Sequence, residues 1–429
     1  MNLLLKSSIV NLQSAISITG SKSETNRLLL LQALYPNLIL ENTSNSDDSE
    51  VMSKALKNFH LPSSNFQLID IHHAGTAMRF LTAFFAIQEN REVVLTGSSR
   101  MKERPIKILV DALRQLGAEI SYEENEGFPP IRIKGKKLIQ NKVFLPANVS
   151  SQYISALLLI APKLENGLEL TLEGEIASVP YIKMTLALLN EIGVETSFVE
   201  NKIIVKPFVT LSAVEGLNPK SLIVESDWSS ASYFYSIIAL SEIGTEITLS
   251  SYKKNSLQGD SVLAEIYKDL GVETLFDNNK IHLRRFQILS RIFGTKSLIL
   301  NLNNSPDIAQ TIAVTCFGLG IGCHLTGLHT LKIKETDRLE ALKTELSKLG
   351  ASVSVTNVSL TLQSYSLPLE GCPKGGVAIK TYQDHRMAMA FAPLALKTDI
   401  IIEEAEVVSK SYPAFWIDLK SIGFSIEEV

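Results

Sequence analysis

One pattern recurs along the 429 residues. Apolar positions at helical spacing close on Leu or Ile followed by glycine, and residues of alternating polarity follow. The copies are Leu113-Arg114-Gln115-Leu116-Gly117-Ala118, Leu189-Asn190-Glu191-Ile192-Gly193-Val194, Tyr267-Lys268-Asp269-Leu270-Gly271-Val272, Leu346-Ser347-Lys348-Leu349-Gly350-Ala351 and Leu419-Lys420-Ser421-Ile422-Gly423-Phe424. A period of 3.6 before the glycine and 2 after it predicts a helix ending on a C′ glycine and then a strand. Gly117, Gly193, Gly271, Gly350 and Gly423 are nearly evenly spaced. Ala55-Leu56-Lys57-Asn58-Phe59-His60 reads as a degenerate first copy, making six.

A second landmark keeps step with the first. Apolar helical stretches open on small polar or charged residues at Ser23, Thr76, Ser151, Ser229, Asp307 and Asp384, evenly spaced except for a shorter first interval. Each repeat is therefore expected to hold two helices and several short strands, and units of this size must stack to bury their faces. Three repeats per lobe is the natural partition. The turn-rich passage Gly216-Leu217-Asn218-Pro219-Lys220 marks the boundary region. The expected division is 20–225 for an N-terminal lobe, and 1–19 with 226–429 for a C-terminal lobe. Repeats related by rotation would aim several helix N-termini at one face of each lobe, and two such faces would make an anion-binding cleft.

Composition narrows the function. Hydrophobic content of 45% and charged content of 20% are those of a globular protein, and 41 basic against 45 acidic residues leave a net charge of −4. A non-specific nucleic-acid binder would carry a clustered basic excess. The three cysteines, Cys316, Cys323 and Cys372, have no metal-ligand spacing and are expected to be reduced. Met1-Asn2-Leu3-Leu4-Leu5-Lys6 lacks the apolar core of a signal peptide, and Thr311 to Leu325 is too short and interrupted to span a bilayer. A cytoplasmic chain is expected.

Candidate chemistry gathers at the helix entrances. Gly20-Ser21-Lys22-Ser23-Glu24-Thr25-Asn26-Arg27 reads as an anion trap: Ser21 with Glu24 fits a capping box, and Lys22 and Arg27 add charge beside unpaired N–H groups. An ordinary capped helix with two solvated cations would read the same. His73-Ala74-Gly75-Thr76-Ala77-Met78-Arg79 is a second anion seat, in which Gly75 allows close backbone approach and Thr76 can cap, or else a turn into a core helix. Arg100-Met101-Lys102-Glu103-Arg104-Pro105 places three cations ahead of a helix with Pro105 expected at N1, although solvated charge runs are common. Ser150, Ser151 and Gln152 open one helix and Ser178 and Tyr181 the next, suiting a polyhydroxylated ligand or simple capping. Asp307 stands alone before an apolar helix. Lys334-Glu335-Thr336-Asp337-Arg338 opens another, with Lys334 and Arg338 on one face and Glu335 between them, as a proton-transfer carboxylate in a cationic pocket would be. Asp384-His385-Arg386 and Lys410 complete the set. Cations concentrated at the helix N-termini of a net-negative chain point to a small, highly anionic ligand or pair of ligands.

With these residues laid out, the chain resembles the EPSP synthases, the 3-phosphoshikimate 1-carboxyvinyltransferases. The resemblance spans nearly the whole chain and rests on Gly20-Ser21-Lys22-Ser23 with Asn26-Arg27, Ala74-Gly75-Thr76-Ala77-Met78-Arg79, Arg100 through Pro105, Lys334 through Arg338, and Asp384-His385-Arg386-Met387-Ala388, in the family's order. It implies an α/β (α+β) enolpyruvyl transferase fold: two lobes of three repeats in an inside-out barrel arrangement, joined by a hinge crossed twice. It implies transfer of the enolpyruvyl group of phosphoenolpyruvate to the 5-hydroxyl of shikimate 3-phosphate, without a metal or organic cofactor, by a monomer. By the same resemblance Lys22, Ser23, Arg27, Ser150, Ser151, Gln152, Ser178, Tyr181, Asp307 and Lys334 hold shikimate 3-phosphate. Lys22, Gly75, Arg100, Gln152, Arg338, Arg386 and Lys410 hold phosphoenolpyruvate. Asp307 and Glu335 are the acid/base carboxylates, and Lys22 and Lys410 steady the departing phosphate.

The chain departs from the family pattern at His73, where Asn is common, at Phe80, where many members have Pro, and at Thr330-Leu331, where Asn-Trp is common. These departures leave the backbone setting of Gly75 open, along with the response to glyphosate, the family's inhibitor. Two other readings remain. A sister transferase with a similar repeated fold uses a UDP-amino sugar acceptor but lacks the Lys-Glu-Thr-Asp-Arg and Asp-His-Arg-Met combination. A catalytically silent anion-binding module would not need both carboxylates.

Overall fold

A computed structural model describes residues 1–7, 13–59, 66–147, 150–174, 176, 179–208, 220–286, 297–364 and 376–429. They form two compact units, Ser21–Val224 and Met1–Gly20 with Glu225–Val429. Gly216 to Pro219, His60 and Ser178 lie outside the described residues.

The period switch at each glycine corresponds to a helix end. Helices Lys107–Gln115, Val179–Glu191, Leu263–Lys268, Arg338–Lys348 and Phe415–Ser421 are each followed by a strand, beginning at Glu119, Thr196, Val272, Val353 and Phe424. The intervening glycines all hold positive φ: Gly117 99°, Gly193 96°, Gly271 83°, Gly350 91° and Gly423 101°. At Gly117 the terminus is a Schellman motif, with Gly117 N–H bonded to the Arg114 carbonyl at 2.9 Å and Ala118 N–H to the Leu113 carbonyl at 3.0 Å. A Cβ at Gly117 or Gly350 would meet no atom within 4 Å, so the backbone conformation alone demands glycine there.

Apart from Lys22–Leu34, whose first turns are polar, the first helix of each repeat is apolar on nearly every side and buried. In Gly75–Ala86 only Thr76 is not buried, and Trp228–Leu240 and Ala309–Gly318 are buried almost throughout. A helix without a polar face must be covered all round. Partner helices and the inner faces of the sheets do this: Phe80, Phe84 and Phe85 have at most 1% of their surface exposed, and each such ring contributes about 2–3 kcal/mol by its burial.

Among the described residues five sheets have four strands and share one plan, in which the first two neighbours are parallel and the rest antiparallel, or the reverse order of the same pairings. In Ser21–Val224 one sheet runs Phe66–Asp70, Glu92–Thr96, Ile131–Lys134, Glu119–Tyr122, and a second runs Lys142–Pro146, Leu168–Glu173, Lys202–Val205, Thr196–Val199. The first repeat, the shortest of the six, has a sheet of two strands among the described residues: Leu38–Glu41 pairs in parallel with Lys220–Ile223. In the other unit Gln13–Ile16 pairs in parallel with Glu246–Ser250. The strands that precede Lys22–Leu34 and Trp228–Leu240 in sequence have thus exchanged sheets. The last repeat has the N-terminal strand Leu3–Ser7 between Ile400–Ile402 and Phe424–Glu428. No helix among the described residues is long and apolar enough to cross a membrane.

Candidate active site

Within Ser21–Val224 the entrances of Lys22–Leu34, Gly75–Ala86 and Ser151–Ile160 converge. Helix Lys22–Leu34 begins after Ser21, but the capping box expected there does not form, because the Ser21 side chain makes no cap hydrogen bond. Lys22 instead aims its ammonium at Asp48, 3.5 Å away, and the same carboxylate lies 3.7 Å from Nε2 of His73. Thr76 does not cap its helix, which starts at Gly75 after Ala74; its hydroxyl accepts from Gln152 Nε2 at 3.1 Å. Ser150 does cap, accepting from Gln152 N–H at 3.4 Å, and Ser151 is buried behind it.

One turn into the first helix, Arg27 is 2% exposed. It donates to Thr185 Oγ1 at 2.8 Å, Ser155 Oγ at 2.9 Å and the Ser23 carbonyl at 2.7 Å. Its guanidinium lies 5.4 Å from the Phe80 ring and 5.8 Å from that of Tyr181. The family departure at Phe80 therefore supplies an aromatic wall to this cation. Arg27 makes no ion pair among the described residues, and burial lowers its pKa to about 10 against the opposing fields of Tyr181 and Glu24. It stays charged at neutral pH.

Arg79 repeats the arrangement. It is buried, donates to the Gly75 and Pro105 carbonyls at 3.1 Å each, and has its pKa lowered to about 10 by burial and then by Arg104. The Arg104 guanidinium packs on Gly75, where a Cβ would stand 2.7 Å from Nη1. Arg79 and Arg104 lie inside the quoted motifs, yet nothing in their spacing singled them out as site residues. Arg100 sits apart, exposed on the four-residue helix Ser99–Lys102 and 2.8 Å from Glu103. Pro105 is not at N1, since the next helix is capped by Ile106 and starts at Lys107.

In the other unit the entrances of Trp228–Leu240, Ala309–Gly318, Arg338–Lys348 and His385–Phe391 converge on Asp307. Its Oδ1 lies 2.9 Å from Arg338 Nη1 and 3.5 Å from Lys334 Nζ, and its Oδ2 is 3.4 Å from Arg386 Nη2. Arg338, 1% exposed, also donates from Nε to Asp384 at 2.6 Å and from Nη2 to Glu335 at 2.8 Å. Asp384 caps its helix by accepting from Arg386 N–H at 2.8 Å, and Asp337 caps the preceding one. Arg386 Nη1 donates to the Asp307 carbonyl at 3.1 Å, and Nη2 donates to Ser229 Oγ at 3.3 Å. Lys410 donates to the Gln383 carbonyl at 2.8 Å, bracing a turn in which Tyr382 and Gln383 hold left-handed φ of 54° and 58°.

These surroundings fix the charges. Burial works against ionising Asp307, but Arg386, Lys334 and Arg338 together overcome it and hold the carboxyl well below the usual range. Burial likewise opposes the charge on Arg338, and Asp384, Glu335 and Asp307 more than restore it. Asp260, which the sequence did not suggest, accepts from the Ser229 hydroxyl. Burial, and then Asp307, push its pKa up to about 7. The two units thus offer different chemistry. In one, the buried guanidinium groups of Arg27 and Arg79 are hydrogen-bonded by carbonyls and hydroxyls and faced by aromatic rings, with no ion pair among the described residues, which suits an anion carrying hydroxyls. The other holds an ionised carboxylate and a second carboxylate among three cations, suited to moving a proton beside an anion.

The sequence profile of the family described as EPSP synthase (3-phosphoshikimate 1-carboxyvinyltransferase) matches residues 37–419. A protein of Bacteroides fragilis strain YCH46 named 3-phosphoshikimate 1-carboxyvinyltransferase is 46% identical over 422 residues, covering 97% of each chain. One of the same name from Actinobacillus pleuropneumoniae serotype 5b is 36% identical over 439 residues, covering 97% of this chain and 98% of its own. A solved EPSP synthase of Acinetobacter baumannii matches all of both chains with a TM-score of 0.78 at 20% identity, a likeness of fold.

Proposed function

Because the chain belongs to the EPSP synthase family, and so is a shikimate-pathway transferase that moves a carboxyvinyl group to 3-phosphoshikimate, we propose how its residues divide that work. Lys22, Ser23, Arg27, Ser150, Ser151, Gln152 and Tyr181 hold shikimate 3-phosphate. Ser178 joins them on the resemblance alone. Arg338, Arg386 and Lys410 hold the phosphate and carboxylate of phosphoenolpyruvate, with Lys334 beside Asp307. Gly75 and Arg100 belong to the ligand shell on the resemblance.

In the reaction the 5-hydroxyl oxygen bonds to C2 of phosphoenolpyruvate as C3 gains a proton. The resulting adduct then loses phosphate as C3 gives up a proton, restoring the vinyl group. The hydroxyl proton and the C3 proton need separate carriers. Asp307, held ionised by three cations and so with both oxygens free of a proton, is the carboxylate assigned to accept the hydroxyl proton. Glu335, 2.8 Å from Arg338 Nη2 and with its side chain 27% exposed, exchanges the proton at C3. The departing phosphate is met by cations already in place, so little reorganisation is needed when charge develops.

One observation carries this reading: three carboxylates, Asp307, Glu335 and Asp384, share the guanidinium of Arg338, and Asp307 also faces Lys334 and Arg386. The test is phosphate release from phosphoenolpyruvate with shikimate 3-phosphate as acceptor, against a UDP-amino sugar. Release with the shikimate ester is expected. Release with the UDP-sugar alone would assign the acceptor of the sister transferase, and no release with either would leave an anion-binding module. We also take the chain to act as a monomer in the cytoplasm. Cys316 and Cys323 are free and buried, as in a reducing compartment, and light scattering in solution reads the monomer.

A further inference from the structure

We propose that Asp260 is a positioning residue for Arg386, acting through the hydroxyl of Ser229, and that it thereby sets the grip on phosphoenolpyruvate. The inference rests on the assignment of Arg386 made above.

Asp260 lies in the 3-10 turn Gly259–Val262 and is 4% exposed. Its Oδ2 accepts from Ser229 Oγ, in the first turn of Trp228–Leu240. The same oxygen of Ser229 lies 3.3 Å from Arg386 Nη2, and Arg386 Nη1 reaches the Asp307 carbonyl at 3.1 Å. Segments distant in sequence thus form one chain of contacts ending on the residue that carries the proton-transfer carboxylate.

The direction of the bonds follows from proton count. A serine hydroxyl has one proton. Given to Asp260, it leaves only lone pairs to face Arg386, which can only donate. Without an acceptor at 260, the hydroxyl is free to turn toward a nearby backbone carbonyl, and Arg386 loses the contact that fixes its rotation. A purely structural role explains Asp260 poorly. Its Oδ1 is buried without a hydrogen-bond partner, and the charges facing it include Asp307 and Asp227 as well as Arg386. A buried carboxyl in such company is costly and would be better replaced by an apolar residue if packing were its only task.

The test compares steady-state kinetics of Asp260→Ala, Asp260→Asn, Ser229→Ala and the Asp260→Ala/Ser229→Ala double variant, each confirmed as folded by its thermal transition. Asp260→Ala should raise KM for phosphoenolpyruvate about tenfold, the scale of one hydrogen bond to a charged group, and leave KM for shikimate 3-phosphate within about twofold. Asp260→Asn, which keeps an acceptor, should recover most of the loss. Ser229→Ala should match Asp260→Ala, and the double variant should be no worse than either, because both remove one chain of contacts. An unchanged KM for phosphoenolpyruvate in Asp260→Ala, an equal rise for both substrates, or additive losses in the double variant would each overturn the inference. A wild type that releases no phosphate would overturn the reaction assignment instead, and the inference with it.

Discussion

Asp307 Oδ1 stands 2.9 Å from Nη1 of Arg338, a residue only 1% exposed. The pair does not stand alone, because Asp384 and Glu335 take the other nitrogens of Arg338 and Lys334 and Arg386 flank Asp307. Each charge is therefore compensated by several others, and removing one changes the chemistry more than the scaffold.

Replacing Glu335 by Gln keeps the shape and removes the proton. Turnover should fall by about two to four orders of magnitude, the range for a positioned acid or base, while shikimate 3-phosphate binds nearly as before by calorimetry. Unchanged turnover would remove Glu335 from proton transfer.

The two kinds of arginine separate the ligands. Arg386→Ala should weaken phosphoenolpyruvate more than shikimate 3-phosphate, and equal weakening of both would contradict the assignment. Arg27→Met should do the reverse, losing about 10- to 100-fold in shikimate 3-phosphate affinity. Arg27 makes no ion pair among the described residues, so the desolvation that Met relieves offsets the hydrogen bonds lost to Thr185, Ser155 and the Ser23 carbonyl, and unfolding free energy should change by less than about 2 kcal/mol. Chemical denaturation of the free protein measures the second effect.

Asp260 makes stability depend on pH. Its pKa is raised to about 7 in the folded protein, so folding takes up a proton. The contribution is complete below the unfolded value of about 4 and is lost as pH rises through the folded value. The span corresponds to at most about 4 kcal/mol. Asp260→Asn, which cannot ionise, should be more stable than the parent at pH 8 and closer to it at pH 5. Parallel melting curves for the two proteins across that range would contradict the raised value.

Two glycines should fail in opposite ways. Alanine at Gly350 meets no neighbour but must hold φ of 91°, which costs about 1–2 kcal/mol and should leave kinetics unchanged. Alanine at Gly75 would place its Cβ 2.7 Å from Arg104 Nη1, so the guanidinium must move. KM for phosphoenolpyruvate should rise with little change in melting temperature. The same two assays on both variants decide the matter.

Much of the α/β architecture could be read in the sequence because its signals are local. The Leu-Gly closures needed only the period of the preceding helix, and all five C′ glycines hold positive φ. The entrances at Ser23, Thr76, Ser151, Ser229, Asp307 and Asp384 were legible from apolar runs, although Ser21 and Thr76 do not cap as expected and Pro105 lies before its helix. The exchange of Gln13–Ile16 and Lys220–Ile223 between sheets left no local mark. Nor did Asp260, whose partner Ser229 is far from it in sequence and whose turn has no periodicity. Arg79 looked like any helical arginine, since the carbonyls that hold it come from Gly75 and Pro105.

The N-terminal strand has a consequence for biosynthesis. Leu5 pairs with Ile400 and Ile426, so this strand is made almost a full chain length before either partner. At about 5–20 residues per second the wait is roughly 20–80 s, during which an apolar segment must stay out of other pairings. Its sheet closes only after nearly the whole chain has left the ribosome, however early the Ser21–Val224 unit folds.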